Sequence, residues 1–523
     1  MTKARLTVAA LAVCALAALF GCAGRTGGPP GREPVAADQL GRVHAVRIPA
    51  TAIAPGVGID ETAAAPVLSD SLLGVVRARV DSILADPLLG GVTHGLLVES
   101  LRTGQVVYER NADTPLIPAS NMKMVTGALA LTTLGPSYSF ETDLATSASA
   151  IDPVLEGDLF VRGSGDPSLT TEEVWKLAEE LRSLGIERIA GDIVLDASYF
   201  DSVSTASGDA SDGDRAYQAR VGALAVNFGA VAVRVRPGDA AGAPAKVTLV
   251  PPTDFVRLVN RARTGSSRRP STIEVERSWS RGKNTVTVSG RVPAGSEGGT
   301  WNRNVDDPSG YFGALFLDLL GRAGIAVDGC VVGGMTPGGA TVLAVHRSKP
   351  LAVILHDLNK HSNNFVAEQL LKAMSAHTMG PPGSTAGGAA LASAFLRSVG
   401  ADGGSFLVAD GSGLSRDNRL TTRTAVRVMR RMLADYGAAP EYLSSFSIGG
   451  IDGTLGRRLG GGGLRGAVRG KTGLLNGVTA ISGVLHTRSR GDFLFSMFTN
   501  GPEDDPGRAH ETEARVLEAL GGL

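Results

Sequence analysis

Three short motifs lie far apart in the chain, in the order Ser120-Asn-Met-Lys123, Ser362-Asn-Asn364 and Lys471-Thr-Gly473. They constrain the fold more than anything else in the sequence, because the chemistry they carry exists only if the fold closes all three on one pocket. A serine hydroxyl is a poor nucleophile near neutral pH and needs a base beside it, and a lysine three residues on can be that base. Positions i and i+3 share a helix face. Ser120 follows Pro118-Ala119 and begins the run Met122, Met124, Val125, Ala128, Leu129, Leu131, Leu134, which stops at Gly135-Pro136. The pattern predicts a helix that is apolar all round and therefore buried, with the serine at its positive end.

Lysine is scarce. Only nine of the 51 basic residues are lysine and the other 42 are arginine, yet Lys123 and Lys471 both fall inside motifs. Arginine does not shed its proton and cannot serve as a base. A second Ser-x-x-Lys, Ser280 to Lys283, lies between two alternating segments, Thr272–Glu276 and Thr285–Val288. That copy is predicted to be a solvated hairpin turn with no part in chemistry.

With 523 residues, 43% of them hydrophobic, the chain has room for about three domains. Formal net charge is zero and the isoelectric point is near 7.1, so there is no electrostatic reason to expect a nucleic-acid partner. Lys3 and Arg5 precede an apolar stretch from Leu6 to Phe20 that is too short for a comfortable membrane span, which predicts an export signal over residues 1–21. The stretch ends Leu19-Phe-Gly-Cys22 and resembles a bacterial lipobox, so Cys22 is expected to carry lipid in the exported protein, in the periplasm or cell envelope. The alternative is simple cleavage and release. Residues 22–66, rich in Gly, Pro and Ala, are expected to be a flexible tether. Of three cysteines, Cys14 would leave with the signal and Cys330 is expected as a small buried residue, so no disulfide framework follows. No His-Glu-x-x-His or Cys-x-x-Cys is present, and neither a metal nor another cofactor is expected.

The folded part opens with a helical pattern from Leu72 to Leu84, then strands at Gly95–Glu99 and Gln105–Tyr108 about a turn at Thr103-Gly104. Strands at Thr479–Leu485 and Phe493–Phe498 and a helix through Glu511 to Leu520 close the chain, so both ends are expected to share one sheet. Roughly 240 residues separate Ser120 from Ser362, which is far more than a loop and must be inserted structure with its own strands and helices.

The ordered triplet Ser-x-x-Lys, Ser-x-Asn and Lys-Thr-Gly is the set found in β-lactamases and penicillin-binding proteins. Together with the long insertion, it makes the chain resemble the class C low-molecular-mass penicillin-binding proteins, the D-alanyl-D-alanine carboxypeptidase/endopeptidases. Gly165–Leu169, Asn359–Glu368, Asp410–Ser415 and Lys471–Gly477 resemble that family as well. The resemblance implies an α+β fold in which a penicillin-binding/β-lactamase-like transpeptidase domain, with a five-stranded antiparallel sheet and a helical subdomain, carries a two-domain insertion. The peptidase domain would comprise 67–140 and 339–523, one inserted domain 141–164 with 238–338, and the other 165–237. It also implies peptidoglycan stem peptides and β-lactams as partners, with Ser120 attacking, Lys123 accepting its proton and Ser362 relaying a proton to the leaving amine. Asn364 would hold the substrate amide, Lys471 and Thr472 the terminal carboxylate. The amides of Ser120 and Leu474, the latter following Gly473, would form the oxyanion hole.

Three departures stand out against that pattern. Leu474 replaces the usual serine or threonine, removing a hydroxyl but not a backbone donor, and Asn363 replaces the commoner aspartate. The stretch that would receive the amino end of the stem side chain, Gly208–Asp214, has no tryptophan; Asp212 is the candidate contact, and a solvated acidic loop is its plain reading. His361 reads as a loop residue, Glu368 as either facing the cleft or pairing locally, and Asp410–Ser415 as tight turns near the cleft. Two other functions remain open to the sequence: a β-lactamase-like serine hydrolase, disfavoured by the insertion, and a non-catalytic peptidoglycan-binding lipoprotein, disfavoured by the intact serine and lysine.

Overall fold

The computed structural model describes residues 67–86, 91–203, 213–501 and 506–522. The expected signal, the tether, Cys22 and Asp212 lie outside those residues.

Both ends of the folded part do build one sheet. Its six strands run in the order Val106–Arg110, Thr93–Ser100, Gly491–Asn500, Val478–Thr487, Val468–Leu475 and the two-residue Ser447–Ile448, every neighbouring pair antiparallel. This is the five-stranded sheet expected, with one short strand added at the edge. Helices Asp70–Leu84 and Pro506–Gly521 cover one face through Val76, Val80, Val516 and Leu520, which meet Leu96, Phe493 and Phe495 of the strands. On the other face a helical layer packs around Met122–Leu134, whose residues 122–131 are all buried. Leu358, Leu370, Met374 and Met429 from surrounding helices close on it. An even apolar surface suits a central helix, which has no wet side to supply. The helix stops at Gly135, whose positive φ of 83° few other residues tolerate.

The 240-residue insertion leaves after Phe140 and returns through the strand Thr341–Arg347. Strand pairing runs across the divisions expected at 164/165 and 237/238. Leu159–Gly163 pairs in parallel with Ile193–Asp196, and Ala230–Arg236 pairs with both Lys246–Val250 and Gly299–Asn304. One apolar core runs through both expected units, from Leu144 and Val161 to Val233, Val288 and Phe316. Cross-strand pairing and a shared core tie these stretches together.

The second Ser-x-x-Lys is a two-residue hairpin in which Ser280 pairs with Lys283 around Arg281 and Gly282, both at positive φ. Cys330 corrects an expectation: it is exposed, not buried. It leads into the edge strand Val331–Gly333, where its backbone N–H donates to Asp192 Oδ1 (2.7 Å) and its side chain is left to solvent.

Candidate active site

The nucleophile turn, the start of the 364 helix, the 410–415 loop and the 471 strand meet in one cleft. Residues Ala119–Asn121 form a single tight turn ahead of the buried helix, so Ser120 stands at its entrance, half-buried, and Lys123 points inward with no exposed surface. Lys123 Nζ lies 3.0 Å from Ser120 Oγ and donates to Asn364 Oδ1 (2.6 Å) and to the carbonyl of Ser412 (2.6 Å). Burial disfavours the charged amine and brings its pKa down to about 7, against the opposing pull of Asp410 and then Glu368. An amine at that value is uncharged for a good part of the time at neutral pH.

Ser362 sits at φ 54°, a left-handed conformation rare outside glycine, asparagine and aspartate. Its Oγ accepts from Lys471 Nζ at 2.8 Å, and the same amine donates to the Thr472 carbonyl at 2.7 Å. Lys471 is also fully buried, and burial followed by the charge of Lys123 holds its pKa well below the usual lysine range. The next residue, Asn363, caps the helix Asn364–Met379 by accepting from Val366 N (3.3 Å). That is a helix-capping task that asparagine and aspartate perform equally well, which explains why the middle residue can vary. Thr472 Oγ1 donates to Thr454 Oγ1 (2.8 Å).

The oxyanion region follows from close packing. A Cβ at Gly473 would stand 3.1 Å from the backbone nitrogen of Ser120 and 2.9 Å from the carbonyl of Pro118, so the strand approaches the nucleophile turn more closely than a side chain would allow. Gly413 is tighter still: its φ is +79°, and a Cβ there would meet the Ala119 carbonyl oxygen at 1.8 Å. Leu474, which follows, is 54% exposed and faces the cleft.

Buried carboxylates hold the 410–415 loop in place. Glu368 accepts from the amides of Ser412 (2.8 Å) and Gly411 (3.3 Å), and Asp410 accepts from the amides of Gly413 and Ser415, both at 2.7 Å. Thr126 Oγ1 bonds the Gly411 carbonyl at 2.7 Å, fastening the loop to the nucleophile helix. Glu368 therefore faces the loop behind the cleft and does not pair along its own helix. Its pKa is pushed up by burial first and by Asp410 second.

Sequence reasoning did not find Tyr217. The backbone carbonyl of this residue, in the insertion, accepts from Asn364 Nδ2 at 2.9 Å, so both ends of that amide are engaged, one by Lys123 and one by the insertion. Gly213 and Gln218, on either side, give their carbonyls to Asn304 Nδ2, each at 2.9 Å, and Asp214 pairs with Arg303 at 3.0 Å. A carbonyl has no residue-type signature, and no pattern in the sequence marks it. His361 is an exposed loop residue, as read from the sequence.

Ser120, Ser362, Asn364, Tyr217, Arg416 and Leu474 line a cleft of about 760 Å³. Across its far end Arg416 Nη1 donates to the Asn476 carbonyl at 2.9 Å. Among the described residues no cluster of side chains could hold a metal ion.

Comparison with known proteins gives a consistent set of likenesses. Residues 76–519 match the profile of the D-Ala-D-Ala carboxypeptidase 3 (S13) family. The D-alanyl-D-alanine carboxypeptidase of Actinomadura sp. (strain R39) is 35% identical over 482 residues, covering 88% of each chain. The D-alanyl-D-alanine carboxypeptidase DacB of Haemophilus influenzae is 28% identical over 428 residues, 80% of this chain and 88% of that one. Among solved structures, penicillin binding protein 4 of Haemophilus influenzae superposes with a TM-score of 0.74 at 25% identity, over 84% of this chain and 99% of the other. The same protein complexed with a β-lactam gives a TM-score of 0.69.

Proposed function

This chain belongs to the D-Ala-D-Ala carboxypeptidase 3 (S13) family, and from that premise we propose how its residues carry out the reaction of a penicillin-binding, serine-type D-alanyl-D-alanine carboxypeptidase acting on peptidoglycan stem peptides. The observation that carries the reading is the contact between Ser120 and a fully buried Lys123 whose pKa burial brings down to about 7. As the serine oxygen attacks the carbonyl carbon, its proton passes to Lys123 Nζ, and the oxyanion falls to the amides of Ser120 and Leu474. Each donor of that kind contributes about 3 to 4 kcal/mol to the transition state. The C–N bond then breaks, and the proton reaches the departing amine through Ser362, which its bond to Lys471 orients. Lys471 and Thr472 take the terminal carboxylate. Water attacks the acyl-enzyme as its proton goes to Lys123, the ester C–O bond breaks, and Lys123 returns the proton to Ser120 Oγ, releasing the shortened peptide acid.

Asn364 has both of its polar ends engaged within the protein. That gives it a task of fixing Lys123, while the second N–H of Nδ2 and the second lone pair of Oδ1 give this cleft-lining amide the capacity to meet the substrate as well. Intact Ser120 and Lys123 count against a purely structural role, and the family match counts against a dedicated β-lactamase.

The N-terminal pattern supports export and anchoring: two basic residues, an apolar stretch and Cys22 in a lipobox-like setting. On this reading the enzyme works in the cell envelope, tethered through lipid at Cys22.

The test is labelling with a fluorescent penicillin. Wild type is labelled, and Ser120→Ala is not. An unlabelled wild type would refute the mechanism.

A further inference from the structure

An uncharged Lys123 has two N–H groups and one lone pair, and only the lone pair can take a proton. Three groups surround the amine: Ser120 Oγ, Asn364 Oδ1 and the Ser412 carbonyl. The last two are carbonyl oxygens, which accept and do not donate, so they take both N–H groups and leave the lone pair to the serine hydroxyl. That outcome depends on which way the Asn364 amide is turned. Reversed, it would set its NH2 against Lys123 and occupy the lone pair itself. The Tyr217 carbonyl prevents the reversal, because it too can only accept and so keeps Nδ2 on its own side, at 2.9 Å.

Tyr217 lies in the single tight turn Ala216–Gln218 and is 57% exposed. The segment around it is gripped at both ends by one side chain of the insertion, Asn304, at the end of the strand Gly299–Asn304. Asn304 Nδ2 donates to the carbonyls of Gly213 and Gln218, each at 2.9 Å, and its backbone N–H donates to the Asp214 carbonyl at 3.2 Å. Its Oδ1 accepts from Arg277 Nε (3.0 Å) and Nη2 (2.5 Å). A guanidinium only donates, so Arg277 fixes the turn of this amide as Tyr217 fixes that of Asn364. Arg277 is itself paired with Asp306, which also accepts from Arg220 Nε at 2.9 Å. Asn304 has no exposed surface, and all four hydrogen-bonding positions of its amide are filled. A buried polar group satisfied to that degree specifies one arrangement.

We propose that Asn304 is a positioning residue for the general base: by clamping residues 213–218 it sets the Tyr217 carbonyl, which orients the Asn364 amide and so aims the Lys123 lone pair at Ser120. The inference rests on the reading of Lys123 as that base. It gives the insertion a part in proton transfer through a chain of three hydrogen-bonded contacts, with no residue of its own touching the reacting atoms.

The charged groups facing the amine are Asp410, Glu368 and Lys471, and a substitution at 304 alters none of them. Asn304→Leu keeps the size of the side chain and removes its four bonds. With the Asn364 amide free to turn, the ammonium form of Lys123 loses an acceptor. The midpoint of the pH profile of penicillin acylation should then move from about 7 to lower pH by about one unit, the worth of a hydrogen bond to a charged group. The plateau rate constant should fall at least about tenfold, because the lone pair no longer points at the hydroxyl. Partial unfolding alone would lower the amount of adduct and leave the midpoint and rate constant of the folded enzyme unmoved.

Asn364→Ala removes the amide through which Asn304 acts, so adding Asn304→Leu to it should change the rate constant by less than about twofold. Arg277→Lys keeps a charge beside Asp306 but loses the fork on Asn304, and it should reproduce both shifts where Asn304→Leu does not fold. A midpoint and plateau equal to those of wild type, or losses that multiply in the double variant, would overturn the proposal. Failure of the underlying reading looks different, since wild type would then remain unlabelled by penicillin or acylate at a rate flat through neutral pH.

Discussion

Lys123 Nζ lies 3.0 Å from Ser120 Oγ on a side chain with no exposed surface. The amine can take the serine proton only when it is itself unprotonated, and burial has moved its pKa to about 7. Acylation by penicillin should therefore rise with pH and level off above about 7, falling roughly tenfold per unit below it. Stopped-flow acylation across pH 5 to 9 measures this; a profile flat through neutrality would show that the amine is not the base.

Replacing the amine is the stronger perturbation. Lys123→Met should lower acylation by about 10²- to 10⁴-fold, the usual scale for a general base. Lys123→Arg should fare no better, because guanidinium keeps its proton. Mass spectrometry of the penicillin adduct over time reads both.

Gly413 packs against the carbonyl ahead of the nucleophile. Gly413→Ala has to displace the Ala119 peptide and adopt a φ of +79°, so acylation should drop by more than about a hundredfold, since small misplacements near reacting atoms are costly. If the variant acylates normally, the close approach has no bearing on catalysis.

Leu474 occupies a place in the cleft where a hydroxyl could meet a substrate carboxylate. Leu474→Ser should lower KM for a D-Ala-D-Ala peptide about fivefold, the worth of one hydrogen bond of about 1 kcal/mol, with kcat nearly unchanged. Steady-state kinetics on wild type and variant decide it, and an unchanged KM rejects the expectation.

Glu368 carries two loop amides on one buried carboxylate. Glu368→Ala should cost about 3 kcal/mol of stability and loosen the loop that gives its Ser412 carbonyl to Lys123. Denaturant melts measure the first effect and penicillin acylation the second; a loss below about 1 kcal/mol would contradict it.

Much of this architecture could be read from residue patterns. The buried helix after Ser120 shows in its even run of Met, Ala and Leu, and the hairpin at Arg281-Gly282 in its turn residues between alternating strands. The shared sheet shows in strand patterns at both ends of the folded region. Other features left no trace in the sequence. The Tyr217 carbonyl is backbone and belongs to every residue alike. The Glu368 carboxylate reads as facing the cleft or pairing locally until the loop from 410 is laid over it. The division of the insertion into two units came from the resemblance, whereas its strands pair by position in space and cross those bounds. Cys330 was expected inside because cysteine usually is, and an edge strand put it outside.

The bond from Asn364 to the Tyr217 carbonyl bears on how such an enzyme can be shortened or grafted. Excising the 240-residue insertion to leave a minimal peptidase would strip a hydrogen-bond partner from an amide that grips the lysine. The missing piece would be felt at the reacting serine as well as in substrate choice, so a compact descendant of this chain would have to evolve a replacement acceptor at that spot before it could lose the rest.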